Sequence, residues 1–265
     1  MMAPPAIASS EAGLWLSVAG VGVNNNKQPQ TTTNNHKQPQ TTINNNKQQS
    51  LNLKWRIAQA AEIRWWKRYL RKRPVTDYLE RKKRYWRQVF ERAGIRPEGG
   101  ERVLDAGCGP AGVFIVLENC RVDGVDPLLD RYEKELSHFD PDWYPWVRFH
   151  AQRVEDFQSG AVYRRIFCLN AINHFEDLEK SLQNLAEALA PGGILYLSID
   201  AHRSGWLKGL FQRLPGDILH PHQYDLEDYT AFAERAGLTV RKRLRLKAGR
   251  IFDYWLLEAH TKKEE

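Results

Sequence analysis

Val103-Leu104-Asp105-Ala106-Gly107-Cys108-Gly109-Pro110-Ala111-Gly112 is an apolar run that ends in an acidic residue and passes straight into a glycine-rich turn. A second run, Val122-Asp123-Gly124-Val125-Asp126, ends in another aspartate 19 residues after Gly107. Glycine has no Cβ and lets backbone approach a ligand closely. An acidic side chain about 20 positions after such a turn is spaced to reach the hydroxyls of a ribose. Strand, turn, helix and strand in this order predict a parallel α/β unit that binds its ligand at the carboxyl ends of the strands. A ligand containing a nucleoside is expected.

Outward from this stretch, short β-branched runs alternate with helical patterns, the signature of a parallel sheet with helices on both faces. Strands are expected near 102–106, 121–125, 147–150, 165–169 and 194–199, and helices near 111–119, 128–138, 177–189 and 225–236. Two more strand runs, from Leu238 and from Arg250, are joined by a short turn containing Gly249 and predict an antiparallel hairpin.

Upstream, the chain changes character. Asn24–Thr33, Asn34–Ile43 and Asn44–Ser50 repeat with a ten-residue period, and Ile43 is their only aliphatic residue. Such a segment has too little apolar surface to offset its ordering entropy, so residues 1–50 are expected to be a disordered low-complexity leader. A period of this kind also corresponds to a thirty-nucleotide tandem repeat, which suggests a start codon placed too far upstream. Residues 51–100 hold fifteen Lys and Arg against five Asp and Glu, a net of +10 in a chain whose total is +7. They read as two helices, the first over about 53–71 with Ile63, Trp66 and Leu70 on one stripe. The second runs over about 76–93, with Thr76 as N-cap and Gly94 as C-cap, and Pro74 lies between the two. Residues 51–100 thus form a basic aromatic cap on a domain spanning 101–265.

Composition excludes several classes. No apolar run approaches the 18 or so residues of a membrane-spanning helix, and Cys108, Cys120 and Cys168 cannot build a disulfide framework. The N-terminal stretch lacks the basic start of a signal peptide. A cytoplasmic location follows, with room for peripheral membrane contact. Three uses of the cap are open. Trp55, Trp65, Trp66, Tyr69, Tyr85 and Trp86 could pack as a lid over the pocket. The same tryptophans with Lys and Arg could lie on an anionic membrane, or the cations could meet RNA phosphates, a weaker option without a recognisable RNA module.

LDAGCGPAG over 104–112 and GVDP over 124–127 resemble the first and second motifs of class I S-adenosylmethionine-dependent methyltransferases of the small-molecule type. Val154-Glu155-Asp156-Phe157, Asn170 to Phe175 and Leu189-Ala190-Pro191-Gly192-Gly193 are similar to later segments of that family, and the resemblance spans about 102–258. It implies a Rossmann-like, doubly wound seven-stranded sheet with an antiparallel C-terminal hairpin, and S-adenosylmethionine as cofactor. It also implies cofactor contacts from Asp105, Ala106, Gly107, Cys108, Gly109, Asp126, Pro127, Glu155, Asp156, Asn170 and His174. Ala111 stands where many members have glycine. A nicotinamide dehydrogenase shares the three glycines, but the aspartate directly before the turn and the Pro-Gly-Gly turn argue against it.

In that family the cofactor supplies the electrophile, and the protein chiefly positions the acceptor. An oxygen or nitrogen of a small, aromatic or anionic acceptor is expected, with His222 and His220 in Leu219-His220-Pro221-His222-Gln223-Tyr224 as candidate bases. Loop histidines bonded to backbone are an equal reading. Asp200, His202, His220 and His222 have ligand chemistry, but their spacing is not diagnostic and no metal is expected. The chain lacks an Asn/Asp-Pro-Pro-Tyr segment after the fourth strand, which argues against methylation of exocyclic base amines. A noncatalytic cofactor-binding module whose cap engages a partner is the alternative.

Overall fold

The computed structural model describes residues 59–160, 162–202, 224–249 and 252–261. Strands β1 (Arg102–Ala106), β2 (Arg121–Val125), β3 (Val147–His150), β4 (Tyr163–Cys168) and β5 (Leu189–His202) pair in parallel. Strand β6 (Thr239–Lys247) pairs antiparallel with β7 (Phe252–His260), which in turn pairs antiparallel with β5. The order across the sheet is β3-β2-β1-β4-β5-β7-β6, the doubly wound arrangement with the expected hairpin. Four of the five residues of β1 and of β2 are buried, as central parallel strands covered on both faces require. The outermost strand β6 is mostly exposed and carries Arg241, Lys242, Arg243, Arg245 and Lys247. Charges on an edge discourage pairing with another chain.

Helix α1 occupies residues 59–70, α2 Val75–Ala93, α3 Leu129–Glu135, α4 Leu178–Glu187 and α5 Leu226–Arg235. One core joins α1, α2 and α3 to a sheet face bearing Phe167, Tyr196, Tyr254 and Leu256. The other joins α4 and α5 to Leu195, Leu197, Ile199 and Leu257. The alternation of Tyr196 with Leu195 and Leu197 along β5 divides the strand between the two cores. Phe90 of α2 stacks on Phe167, which stacks on Tyr196, each pair with ring centroids 5.2 Å apart. Trp86 and Tyr69 are buried, and Trp65, Trp66 and Tyr85 are partly buried. Among the described residues, then, these aromatic side chains pack wholly or in part against the core that faces the sheet. No described helix is long and apolar enough to cross a membrane.

Several expected boundaries move, each for a physical reason. The helix expected over 111–119 is replaced by two 3-10 turns, Gly109–Ala111 and Val113–Val116. Val113, Phe114, Ile115 and Leu117 are all buried, so the segment has no polar face to leave in water, and an extended Gly112 breaks it. The N-cap of α2 is Pro74 rather than Thr76, because the Pro74 carbonyl already accepts the N–H of Tyr78 at 3.0 Å. Gly94 caps the other end in the left-handed conformation, as expected. Helix α3 stops at Glu135, short of residue 138, because Leu136 turns extended. The turn expected before the fifth strand is absorbed into β5, which begins at Leu189.

Candidate cofactor site

The site forms where β1 and β2 end side by side. Gly107 and Gly109 are both left-handed, at φ of 68° and 57°. The N–H groups of Gly107 and Cys108 donate to the Val125 carbonyl at 2.7 and 3.1 Å, hanging the turn on the end of β2. A Cβ on Gly107 would lie 2.3 Å from the Ala171 Cβ, so the segment after β4 closes that side of the turn. A Cβ on Gly109 would meet nothing within 4 Å, and that side is open. Trp86 of α2 covers the far end, its indole N–H donating to the Ala111 carbonyl at 3.0 Å.

Two buried aspartates hold this turn. Asp105 accepts the Phe114 N–H on Oδ2 at 3.0 Å, and burial, with the Asp126 charge adding to it, pushes its carboxyl up to about 7. Gly112 is packed against the same oxygen, and a Cβ there would sit 2.4 Å from it. Asp126 accepts the Gly109 N–H on Oδ2 at 3.0 Å and the Leu128 N–H on Oδ1 at 2.9 Å. Pro127 between them has no N–H to offer. Burial, and after it the charge of Glu62, brings Asp126 to about 7. Each of its oxygens keeps a lone pair for a further donor. Cys108 is buried and its thiol is pushed up by burial and by the same two aspartates, which suits a packing residue rather than a nucleophile.

After β4, Asn170 adopts a left-handed backbone at φ 58°. Its N–H donates to Ser198 Oγ at 2.8 Å, and Ser198 Oγ also accepts the Tyr254 hydroxyl at 2.8 Å. Left-handed non-glycine residues cost free energy and cluster at functional sites. The next turn, Ile172–His174, is held by the Tyr229 hydroxyl donating to Asn173 Oδ1. Asp105, Ala106, Gly107, Cys108, Gly109, Asp126 and Pro127 therefore come together around one turn, with the segment of Asn170 and His174 against it.

Glu155 and Asp156 do not join that cluster. Glu155 is buried and accepts the N–H groups of Glu176 and Asp177 at the start of α4. The Asp156 side chain is 54% exposed and pairs with Arg153 and Lys180. His220 and His222 lie outside the described residues. Among the described residues no group of three or more His, Cys, Asp or Glu could hold a metal ion. Glu62, the sole carboxylate in the stretch 53–71, accepts the Tyr132 hydroxyl and the Trp66 indole N–H, and in the sequence it carries no signal beyond that isolation.

The family model described as a methyltransferase domain matches residues 78–243, more than half of the chain. The chain belongs to that methyltransferase-domain family. The glycine turn has the features that a nucleoside-containing cofactor such as S-adenosylmethionine requires: an open side next to a left-handed glycine, flanked by an aspartate with lone pairs to spare. The ubiquinone biosynthesis O-methyltransferase of Rickettsia canadensis is 23% identical over 111 residues, 41% of this chain and 47% of that protein. The chain thus spans about half the length of the curated relatives it matches. The Burkholderia thailandensis 1,6-didemethyltoxoflavin N1-methyltransferase, solved with 1,6-didemethyltoxoflavin and S-adenosylhomocysteine, has a TM-score of 0.50. It is 18% identical, over 69% of this chain and 79% of that one. The [4+2]-cyclase SpnF has a TM-score of 0.52 at 15% identity, over 69% and 81% of the two chains. These two likenesses show the fold of the methyltransferase domain, and the cyclase shows that this fold alone does not fix the reaction.

Proposed function

We propose that the protein transfers a methyl group from S-adenosylmethionine to an oxygen or nitrogen of a small, aromatic or anionic acceptor. The carrying observation is the open side of Gly109 next to Asp126, in a chain whose family is that of methyltransferases. The names of the relatives support the acceptor class: one acts in ubiquinone biosynthesis, and another was solved with 1,6-didemethyltoxoflavin.

When bound, the cofactor supplies a sulfonium methyl open to in-line displacement. The chain's own residues then have three tasks. Asp126 accepts ribose hydroxyls, while Gly107 and Gly109, with Ala106, Cys108 and Pro127 around them, present backbone to the rest of the cofactor. Asn170 and His174, on the segment packed against the turn, border the bound cofactor on the side opposite the opening at Gly109. His222 and His220 take the proton of a hydroxyl acceptor, since an imidazole titrates near neutral pH.

Transfer of labelled methyl from S-adenosylmethionine to a panel of phenols, hydroxyquinols, carboxylates and amines tests this reading. Turnover of at least one class is expected, and His222→Ala should lower kcat on a hydroxyl acceptor while leaving cofactor affinity unchanged. Cofactor binding with no turnover on any class would instead favour a noncatalytic module. For that reading the exposed cations Arg64, Lys67, Arg68, Arg71 and Lys72 on and beside α1 offer a partner surface.

A further inference from the structure

Helix α1 is densely cationic, yet its one carboxylate is turned inward. Glu62 accepts the Tyr132 hydroxyl at 3.1 Å and the Trp66 indole N–H at 3.4 Å. Both bonds fall on Oε1, and Oε2 accepts none among the described residues. Nor does any described Lys or Arg pair with Glu62, whereas Lys67 on the same helix pairs with Glu135 of α3 at 2.6 Å.

Tyr132 fixes where this carboxylate stands. It lies on α3, one turn past the Asp126-Pro127-Leu128 corner, and is fully buried. Its phenol is pushed up by burial, and then by the charges of Asp126 and Glu62 and by Cys108. The hydroxyl thus ties the carboxylate of α1 to the helix that opens at the Asp126 corner, where the Leu128 N–H is already bonded to Asp126 Oδ1. Burial raises the Glu62 carboxyl as well, and its charge is the leading electrostatic influence on Asp126. Two like charges in a place of low dielectric are costly unless donors reach them. A ribose 2′,3′-diol brings two O–H donors on adjacent carbons, and the lone pairs left over at this point are those of Asp126 and of Glu62 Oε2.

We propose that Glu62 is a second ribose-binding carboxylate, delivered by the N-terminal cap, so that α1 closes over the nucleoside and makes the cap part of the cofactor site. The proposal rests on the reading of this site as the cofactor pocket. It assigns Tyr132 and Trp66 the role of holding Glu62 in its rotamer. The bland alternative is that Glu62 only ties α1 to α3, a role that a bound ligand would not sense.

The test is calorimetric titration of the full chain with S-adenosylhomocysteine and with its analogue lacking both ribose hydroxyls, alongside thermal melting of the free protein. Glu62→Gln should weaken S-adenosylhomocysteine about tenfold and the dideoxy analogue less than about twofold. Tyr132→Phe, which releases Glu62 without removing it, should give a smaller loss with the same preference. Unchanged affinity of Glu62→Gln, or equal losses for the two ligands, would overturn the ribose assignment while leaving the pocket in place. Failure of the unaltered protein to bind S-adenosylhomocysteine at all would overturn the pocket and this proposal together.

Discussion

Alanine at Gly109 and alanine at Gly112 should separate recognition from folding, although the two positions are only three residues apart. At Gly112 the backbone is extended and tolerates any residue, so the cost is steric. The new Cβ would sit 2.4 Å from Asp105 Oδ2 and 2.5 Å from the Cys108 carbonyl oxygen, and neither atom is free to retreat. Overpacking of this kind costs about 1–3 kcal/mol. Displacing Asp105 from the Phe114 N–H adds about 1–3 kcal/mol for the buried bond. At about 2–4 °C per kcal/mol, Gly112→Ala should lower the Tm by roughly 5–20 °C. At Gly109 a Cβ meets nothing, so Gly109→Ala costs only the left-handed backbone, about 1–2 kcal/mol. Its methyl would, however, fill the space that the account gives to the cofactor. Affinity for S-adenosylhomocysteine should fall by tenfold or more, since 1.4 kcal/mol of lost contact already corresponds to a factor of ten. Thermal melting and titration calorimetry on both variants decide the matter. Gly109→Ala with full affinity, or with the stability loss of Gly112→Ala, would refute the reasoning.

Three further outcomes follow from particular contacts. Trp86→Phe leaves the buried Ala111 carbonyl without its donor and should cost about 1–3 kcal/mol in chemical denaturation, and no loss would show that the indole bond is incidental. Asn170→Gly relieves a left-handed backbone and should stabilise the protein by about 1 kcal/mol, with a fall in stability pointing instead to side-chain contacts. Asp105 has its folded value raised from 3.8 to about 7, so its favourable contribution is present below pH 4 and is lost as pH rises through about 7. Asp105→Asn does not titrate, and its stability relative to the unaltered protein should improve between pH 4 and pH 8 by at most a few kcal/mol, at 1.4 per pH unit. A difference independent of pH in urea denaturation would contradict the burial of that charge.

The parallel unit of β1 and β2 was legible because β1, Gly107 and Asp126 are tied by local geometry: an apolar run, a residue able to turn left-handed, and a carboxylate one strand later, whereas the order of the whole sheet came only with the family resemblance. The C-terminal hairpin was legible for a similar reason, as two strand runs with little chain between them have few ways to pair. Residues 113–116 were not, since a wholly apolar run has no period from which to tell an α-helix from buried 3-10 turns. Chemistry alone could not sort the acids. Asp123 and Asp126 belong to one pentapeptide, yet Asp123 faces His150, Tyr163 and Arg102. Burial works against its charge, but these three donors outweigh it and hold the carboxyl below its usual range. Asp126 sits past the strand end and meets the glycine turn instead. Likewise Glu155, not the adjacent Asp156, is the buried member of its pair, because its register aims it at the N–H groups that open α4. Glu62 shows the same limit across a longer separation. Its meaning depends on α1 folding back onto α3, and no local pattern announces that packing.

The most direct test of the central claim is titration of the purified protein with S-adenosylhomocysteine, with a reduced nicotinamide cofactor as the control. Micromolar binding of S-adenosylhomocysteine, lost in Asp126→Ala, and none of the nicotinamide is the expected result. Binding of the nicotinamide alone, or of neither ligand, would contradict it.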